Sequence, residues 1–194
     1  MDGNPSPAPA KVCASGEARR PPRVLELFCG IGGVAAAVAG RAEVVAAVDV
    51  NRHALAVYRH NFDHPVVAAT LESLPAARLA AWEADLWWLS PPCQPFTRRG
   101  LGRDLDDARA RSLVALIDRL ARLTPPWVAL ENVPGFRGSR AHALLRRTLE
   151  RAGYHVAERL LCPTELGVPN RRRRFYLVAG LEPPLPWPDP AAAP

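Results

Sequence analysis

RVLELFCGIGGVAAAVAGRAEVVAAVD, residues 23–49, decides the fold. Residues 23–28 are a short apolar run that ends in glycine-rich sequence, the mark of a buried strand. Residues 33–39 are small and apolar and predict a helix closed by Gly40; residues 43–48 predict a second strand that ends at Asp49. A strand, a helix and a strand in so short a stretch form a crossover unit, and ligands of such folds sit beyond the carboxyl ends of the strands.

The alternation continues outward from this unit. Helices are expected over residues 52–62, with Leu55, Tyr58 and Phe62 on one face, and over 75–82, 108–123 and 140–152. The helix at 108–123 carries Leu113, Leu116, Ile117 and Leu120 at helical spacing. Strands are expected over 66–68, 85–89, 127–130, 154–161 and 175–179, with a long loop over 90–107. The fold class is therefore α/β: a doubly wound, mostly parallel sheet covered on both faces. Residues 1–22, rich in Pro, Ala and Ser, predict a disordered leader. Residues 182–194, EPPLPWPDPAAAP, predict a disordered tail, since so many prolines exclude helix and central strand. Residues 23–181 are the expected folded domain.

Composition narrows the function classes. The chain has 194 residues, 48% of them hydrophobic, enough for one domain with a core of its own. No apolar run approaches the ~20 residues of a membrane span, and the first residues hold no signal-like apolar segment. The four cysteines, Cys13, Cys29, Cys93 and Cys162, are scattered with no C-x-x-C pair. That spacing suggests neither a disulfide framework nor a zinc site, and it predicts a cytoplasmic protein with reduced thiols. The net charge is +6, and Lys11 is the single lysine among 25 basic residues. An arginine excess suits bidentate contact with phosphate. It fits equally a coding bias that also enriches Ala, Pro and Gly, so charge alone leaves nucleic acid open.

Four places carry chemistry. Glu26 to Gly33 follows the first strand and opens the first helix, where glycines let a ligand approach the backbone. The G-x-G-G spacing is not the G-x-G-x-x-G of dinucleotide folds. With Asp49 at the end of the second strand, a position suited to ribose hydroxyls, it suggests an adenosine-containing cofactor. A tight turn with a helix-capping Asp accounts for the same residues. Ser90-Pro-Pro-Cys-Gln-Pro-Phe-Thr97 lies past the fourth strand and presents Cys93 between prolines at the ligand edge, as a nucleophile requires. The alternative is a buried, inert cysteine. Glu131, past the fifth strand, reaches the same rim; a carboxyl in a partly dry pocket can hold a proton near neutrality, and the alternatives are a helix cap or a salt bridge. Arg172 and Arg174, alternate residues before the last strand, share a face that can grip a phosphate or a base, or form a solvated basic turn.

Glu26–Gly33, Asp49, Pro91–Gln94, Glu131–Val133 and Asn170–Arg174 resemble, in order and spacing, the signature blocks of the cytosine-C5 methyltransferases. The resemblance spans residues 23–180. In the detail of residues 90–97, of the region Asp106–Arg109 with Ser112, and of Gly167–Asn170 it is closest to the tRNA-methylating, eukaryotic-type branch. It implies the Rossmann-like sheet of S-adenosylmethionine-dependent methyltransferases and transfer of a methyl group to C5 of cytosine in DNA or tRNA. Cys93 would attack C6 of the base, Glu131 would hold or protonate N3, Arg174 would touch the base, and Arg172 would hold the pocket or a phosphate. Phe28 would stack on the adenine of S-adenosylmethionine and Val50 pack on it. Gly30 and Gly33 would lie near its amino-acid part and Asp49 at its ribose. Ile31, Thr70, Leu71 and Pro91 complete the implied cofactor set.

Two departures from that family shape the competing readings. Relatives carry, after the last block, a recognition segment, a further helix and a returning block at the cofactor pocket; Thr70 stands where many of them have an acid. The second reading is thus a non-catalytic or half-enzyme subunit in which a second protein chain supplies target recognition. An exposed apolar patch is then expected where the returning helix would pack. A nicotinamide-dependent oxidoreductase fails on the glycine spacing and leaves Cys93 unexplained.

Overall fold

Strands and helices alternate in the expected order in a computed structural model that describes residues 20–96, 103–183 and 187. Residues 1–19, 97–102 and nearly all of the proline-rich tail lie outside the described residues, and with them most of the expected leader and tail and the middle of the expected loop. The elements are β1 (Arg23–Leu27), α1 (Gly33–Val38), β2 (Glu43–Asp49), α2 (Arg52–Asn61), β3 (Val66–Ala68), α3 (Ala76–Ala81), β4 (Leu86–Leu89), α4 (Arg111–Leu123), β5 (Trp127–Asn132), α5 (Arg140–Arg151), β6 (His155–Leu161) and β7 (Arg174–Gly180). Together the strands form one sheet in the order β3-β2-β1-β4-β5-β7-β6. β3, β2, β1, β4 and β5 run parallel; β7 is antiparallel to both of its neighbours. That reversal has a simple cause. A parallel return needs a crossover, usually a helix, and between β6 and β7 the chain makes only the short 3-10 turn Pro163–Leu166.

Each face has its own core. Leu25, Leu27, Trp87, Leu89, Val128 and Leu130 pack under α3, α4 and α5 through Leu79, Leu113, Leu116, Ile117, Leu120 and Leu145. The smaller core on the other face joins Cys29, Val44 and Ala47 to Ala35 of α1 and to Leu55 and Tyr58 of α2. The stripe on α4 is buried as its spacing predicts, while residues 108–110 form a 3-10 turn before it, started by the Asp107 carboxylate accepting from Arg109 N–H. Helix α2 stops one residue short of Phe62, whose backbone is extended.

Past α1, the second face is only partly covered. Leu86, Trp88, Ala129 and Val178 line an open hollow on β4, β5 and β7, walled by Arg20–Pro22 and Arg41. Arg20 to Pro22, within the expected leader, are anchored here. Arg20 donates through both terminal nitrogens to Asp85 at 2.6 and 2.8 Å, and the Pro22 carbonyl accepts from Glu43 N–H at 2.9 Å. Among the described residues no helix is long and apolar enough to cross a membrane.

Candidate active site

The carboxyl ends of β1, β2, β4 and β5 converge on one cavity of about 610 Å³. At the end of β1 the chain turns sharply. Phe28 takes a left-handed φ of 59°, a conformation that costs a non-glycine residue of order 1 kcal/mol, and its ring lines the cavity. Gly30 follows at φ 54°. A Cβ there would meet no atom within 4 Å; it would occupy the cavity itself.

Asp49 ties this turn to β2. Its Oδ2 accepts from Gly30 N–H at 2.9 Å and its Oδ1 from Asn51 N–H at 2.8 Å. Capping of α2 falls to Asn51, which accepts from His53 and Ala54 N–H. Asp49 is therefore not the helix cap that its position also allowed, and its carboxylate stays at the cavity wall beside Val50.

The loop after β4 is fixed from two sides. Asn132, 2% exposed at the end of β5, donates to the Pro91 carbonyl at 3.1 Å and accepts from Val133 N–H at 2.8 Å. Phe96 packs edge-on against Phe136 with centroids 4.9 Å apart. Gly135 lies so close that a Cβ on it would stand 2.3 Å from the Phe96 carbonyl oxygen. Between these anchors Cys93 is half-buried, with its thiol free, and it lines the cavity with Pro91, Pro92 and Gln94. Cys29 is the inert thiol of the pair: it is 6% exposed and burial pushes its pKa up.

Glu131 and Arg174 meet across β5 and β7 with Nε 3.0 Å from Oε1. The salt bridge that the sequence allowed for Glu131 is thus formed, and it is formed inside the cavity. Arg172 lines the same wall. Of the expected cofactor residues, Phe28, Gly30, Asp49, Val50, Thr70 and Pro91 share the cavity with Cys93, Glu131, Arg172 and Arg174. Gly33 instead lines an adjoining hollow of about 410 Å³ with Glu26, Trp88 and Tyr176. Two more of the expected residues are placed elsewhere. Leu71 is 2% exposed and belongs to the core under α3 and α4. Ile31 is 61% exposed and is outside the described lining of the cavity.

Arg109 and Asn132, which fall within the quoted blocks but are given no role there, also line the cavity, as does Glu72, to which no sequence pattern assigns a place. Arg109 is held by a two-pronged contact with Asp107, at 2.9 and 2.8 Å, which keeps the Asp107 carboxyl low, at about 2. Beneath the site, buried Glu26 accepts from Tyr58 OH at 3.1 Å, and Tyr58 OH also meets His64 Nδ1 at 3.1 Å. Loss of hydration pushes the Glu26 carboxyl up to about 7, against the hydrogen bonds from Tyr58 and from the Val34 and Ala35 N–H groups of α1.

Cys93, Glu131, Arg172 and Arg174 are thus gathered with Asp49 at the strand ends of a doubly wound sheet. Residues 22–189 match the C-5 cytosine-specific DNA methylase family, and the chain belongs to it. It is 44% identical over 177 residues to a tRNA (cytosine(38)-C(5))-methyltransferase of Bos taurus, an alignment covering 88% of this chain and 45% of that protein. It is 35% identical over 167 residues to a DNA (cytosine-5)-methyltransferase of Dictyostelium discoideum, covering 81% and 44%. The solved structure of the S. pombe Dnmt2 methyltransferase superposes with a TM-score of 0.74 at 32% identity, over 87% of this chain and 52% of that one. The chain spans about half the length of the curated relatives it matches.

Proposed function

We propose that residues 23–181 are a catalytic domain that transfers a methyl group from S-adenosylmethionine to C5 of a cytosine in nucleic acid. The observation that carries this reading is the gathering of Cys93, Glu131 and Arg174 with Asp49 around one cavity. The first substrate to test is tRNA, the substrate in the printed names of the relatives at 43–44% identity. DNA is the second, from the Dictyostelium relative's name.

The residues present fit the donor. The cavity offers an apolar wall in Phe28 and Val50, a carboxylate in Asp49, and open space where Gly30 lacks a side chain. Asp49 would accept the ribose hydroxyls, and Phe28 and Val50 would hold the adenine. Bound there, S-adenosylmethionine supplies an electrophilic methyl group. The Cys93 thiolate adds to C6 of the base while Glu131 holds N3, as proton donor or hydrogen-bond partner, and C5 becomes nucleophilic. Arg174 keeps the Glu131 carboxylate in place and reaches the base; Arg172 grips the base or its phosphate. After methyl transfer, loss of the C5 proton to water would re-form the C5–C6 double bond as the C6–S bond breaks with its electron pair on sulfur, which would return the Cys93 thiolate. A cytosine in a duplex is flipped out first, at a few kcal/mol. A reducing, cytoplasmic setting belongs to the same reading, because the Cys93 nucleophile works as a free thiol.

The second polypeptide belongs to it also. A segment seated on Leu86, Trp88, Ala129 and Val178 would cover an apolar hollow that a parallel sheet normally buries, and would close the space beside Gly33.

The test is covalent trapping. The full chain is incubated with S-adenosylmethionine and with tRNA or DNA carrying 5-fluorocytosine, whose fluorine cannot leave C5 as a proton does. An adduct stable to denaturing electrophoresis is expected, and none with Cys93→Ala. An adduct that survives this substitution removes Cys93 from the reaction.

A further inference from the structure

The strand order gives the cavity two unlike ends. The carboxylates of Asp49 and Glu72 line it beyond β2 and β3, where the proposed donor rests. Arg172 and Arg174 line it beside β5 and β7. A phosphate is repelled at the first end and attracted at the second.

The cationic end continues outside the cavity. β5 and β6 are both antiparallel to β7, so the link from β6 to β7 returns at the carboxyl edge of the sheet. Arg171 and Arg173 belong to that link; both are exposed and outside the described lining of the cavity. Arg137, also exposed, follows the turn Pro134–Phe136 that leaves β5 at the same edge. One aromatic cluster seats both segments: Phe136, next to Arg137, packs on Phe175, two residues past Arg173, with ring centroids 5.7 Å apart. Among the described residues none of the three guanidinium groups has an ion-pair or hydrogen-bond partner. The neighbouring acids are engaged elsewhere. Glu131 pairs with Arg174, Glu165 accepts from Cys162 N–H, Asp106 pairs with Arg140, and Asp104 accepts from the first amides of α5. These arginines are left for an anion from outside the chain.

A cytosine held at Cys93 carries a phosphate on each side, and its strand has to leave the cavity over the rim. We propose that Arg137, Arg171 and Arg173 form a track for the sugar–phosphate backbone of the substrate strand next to the target nucleotide. The strand then crosses the edge on the β5–β7–β6 side and leaves the donor end clear. The inference rests on the nucleic-acid reading above. Contacts of this kind fix register and orientation and carry no sequence information.

Anisotropy of a fluorescein-labelled, single-stranded RNA on the full chain tests the track without turnover, with Kd followed between about 0.05 and 0.2 M salt. Each phosphate contact to a single strand adds about 0.7 to the slope of log K against log salt. Arg171→Ala with Arg173→Ala should therefore reduce the slope by about 1.4; for lines that meet at about 1 M, that is about 25-fold in Kd at about 0.1 M salt. Arg137→Ala should reduce it by about 0.7. Arg171→Lys with Arg173→Lys should restore the slope, because lysine meets phosphate as a point charge. The control pair is Arg147→Ala with Arg151→Ala, two exposed arginines toward the other end of α5; it removes the same charge and should keep the wild-type slope. Equal losses from the two pairs, or none from Arg171 and Arg173, overturn the track. Wild type that binds RNA with the expected slopes yet forms no Cys93-dependent adduct with 5-fluorocytosine overturns methyl transfer and leaves the track standing. An adduct that forms while both pairs keep the wild-type slope overturns the track and leaves methyl transfer standing.

Discussion

Replacing Glu26 with Gln should flatten one component of the pH dependence of stability. Glu26 is 1% exposed, and its folded-state pKa stands at about 7 against an ordinary 4.5. Below pH 4.5 the carboxyl is neutral in both the folded and unfolded chain, and it contributes no pH dependence. Between 4.5 and 7 the unfolded chain releases the proton while the folded one retains it, so a rise in pH favours unfolding. Above 7 both forms are ionised and the full penalty remains. At 1.36 kcal/mol per pKa unit that penalty is about 3 kcal/mol, of which about 2.5 develops between pH 5 and pH 8. Gln is isosteric and uncharged. Its carbonyl can accept from the α1 amides, and its NH₂ can donate to Tyr58 OH, which then donates to His64 Nδ1. Urea unfolding of both proteins at half-unit pH steps isolates the effect, because other titrating groups cancel in the difference. Glu26→Gln should gain on wild type by about 2.5 kcal/mol from pH 5 to pH 8. A difference that stays constant across that range would refute the reasoning.

Gly135→Ala should displace the loop that carries Cys93, since the new methyl group meets the Phe96 carbonyl at 2.3 Å; overpacking of this kind costs about 1–3 kcal/mol, and denaturant unfolding together with the 5-fluorocytosine adduct yield reads both consequences. Native-state alkylation followed by peptide mass spectrometry should label Cys162 ahead of Cys29. The Thr164 hydroxyl donates to Cys162 Sγ at 3.1 Å and holds its thiol below the ordinary range, whereas Cys29 is buried; rapid native labelling of Cys29 would contradict its place in the core.

The fold was legible where apolar periodicity was strong. Leu113, Leu116, Ile117 and Leu120 predicted α4 and its buried face, and the apolar runs that end at Gly-rich or acidic residues predicted β1 and β2. Element ends shifted by a residue or two because terminal hydrogen bonds decide them, as the extended backbone of Phe62 does for α2. The site was legible where adjacent residues act together, as in Pro91–Gln94 and Glu131–Val133. It was not legible where the partner is remote. Glu72 reaches the cavity through Ser112, forty residues along the chain, and the two share no local pattern. Leu71 shows the converse. It neighbours two cavity residues in sequence, yet the turn that begins at Thr70 points its side chain into the core.

The direction of β7 is the step that local sequence could not supply, and the site depends on it. Arg172 and Arg174 precede or begin their strand. In a parallel sheet, residues that open a strand lie at the edge opposite the carboxyl ends of their neighbours, which would put both arginines a sheet's height from Cys93 and Glu131. The antiparallel register sets Glu131 opposite Tyr176 and Asn132 opposite Phe175. Arg174 then lies on the same face as Glu131, one diagonal step away, and forms the 3.0 Å pair. The cause is the helix-free link through Pro163–Leu166, which sends the chain back between β5 and β6. A basic run at the start of a strand is therefore ambiguous by itself. It reaches the ligand edge only when the preceding connection is too short in regular structure to cross over, and here the absence of a helix between β6 and β7 does as much for the site as the arginines themselves.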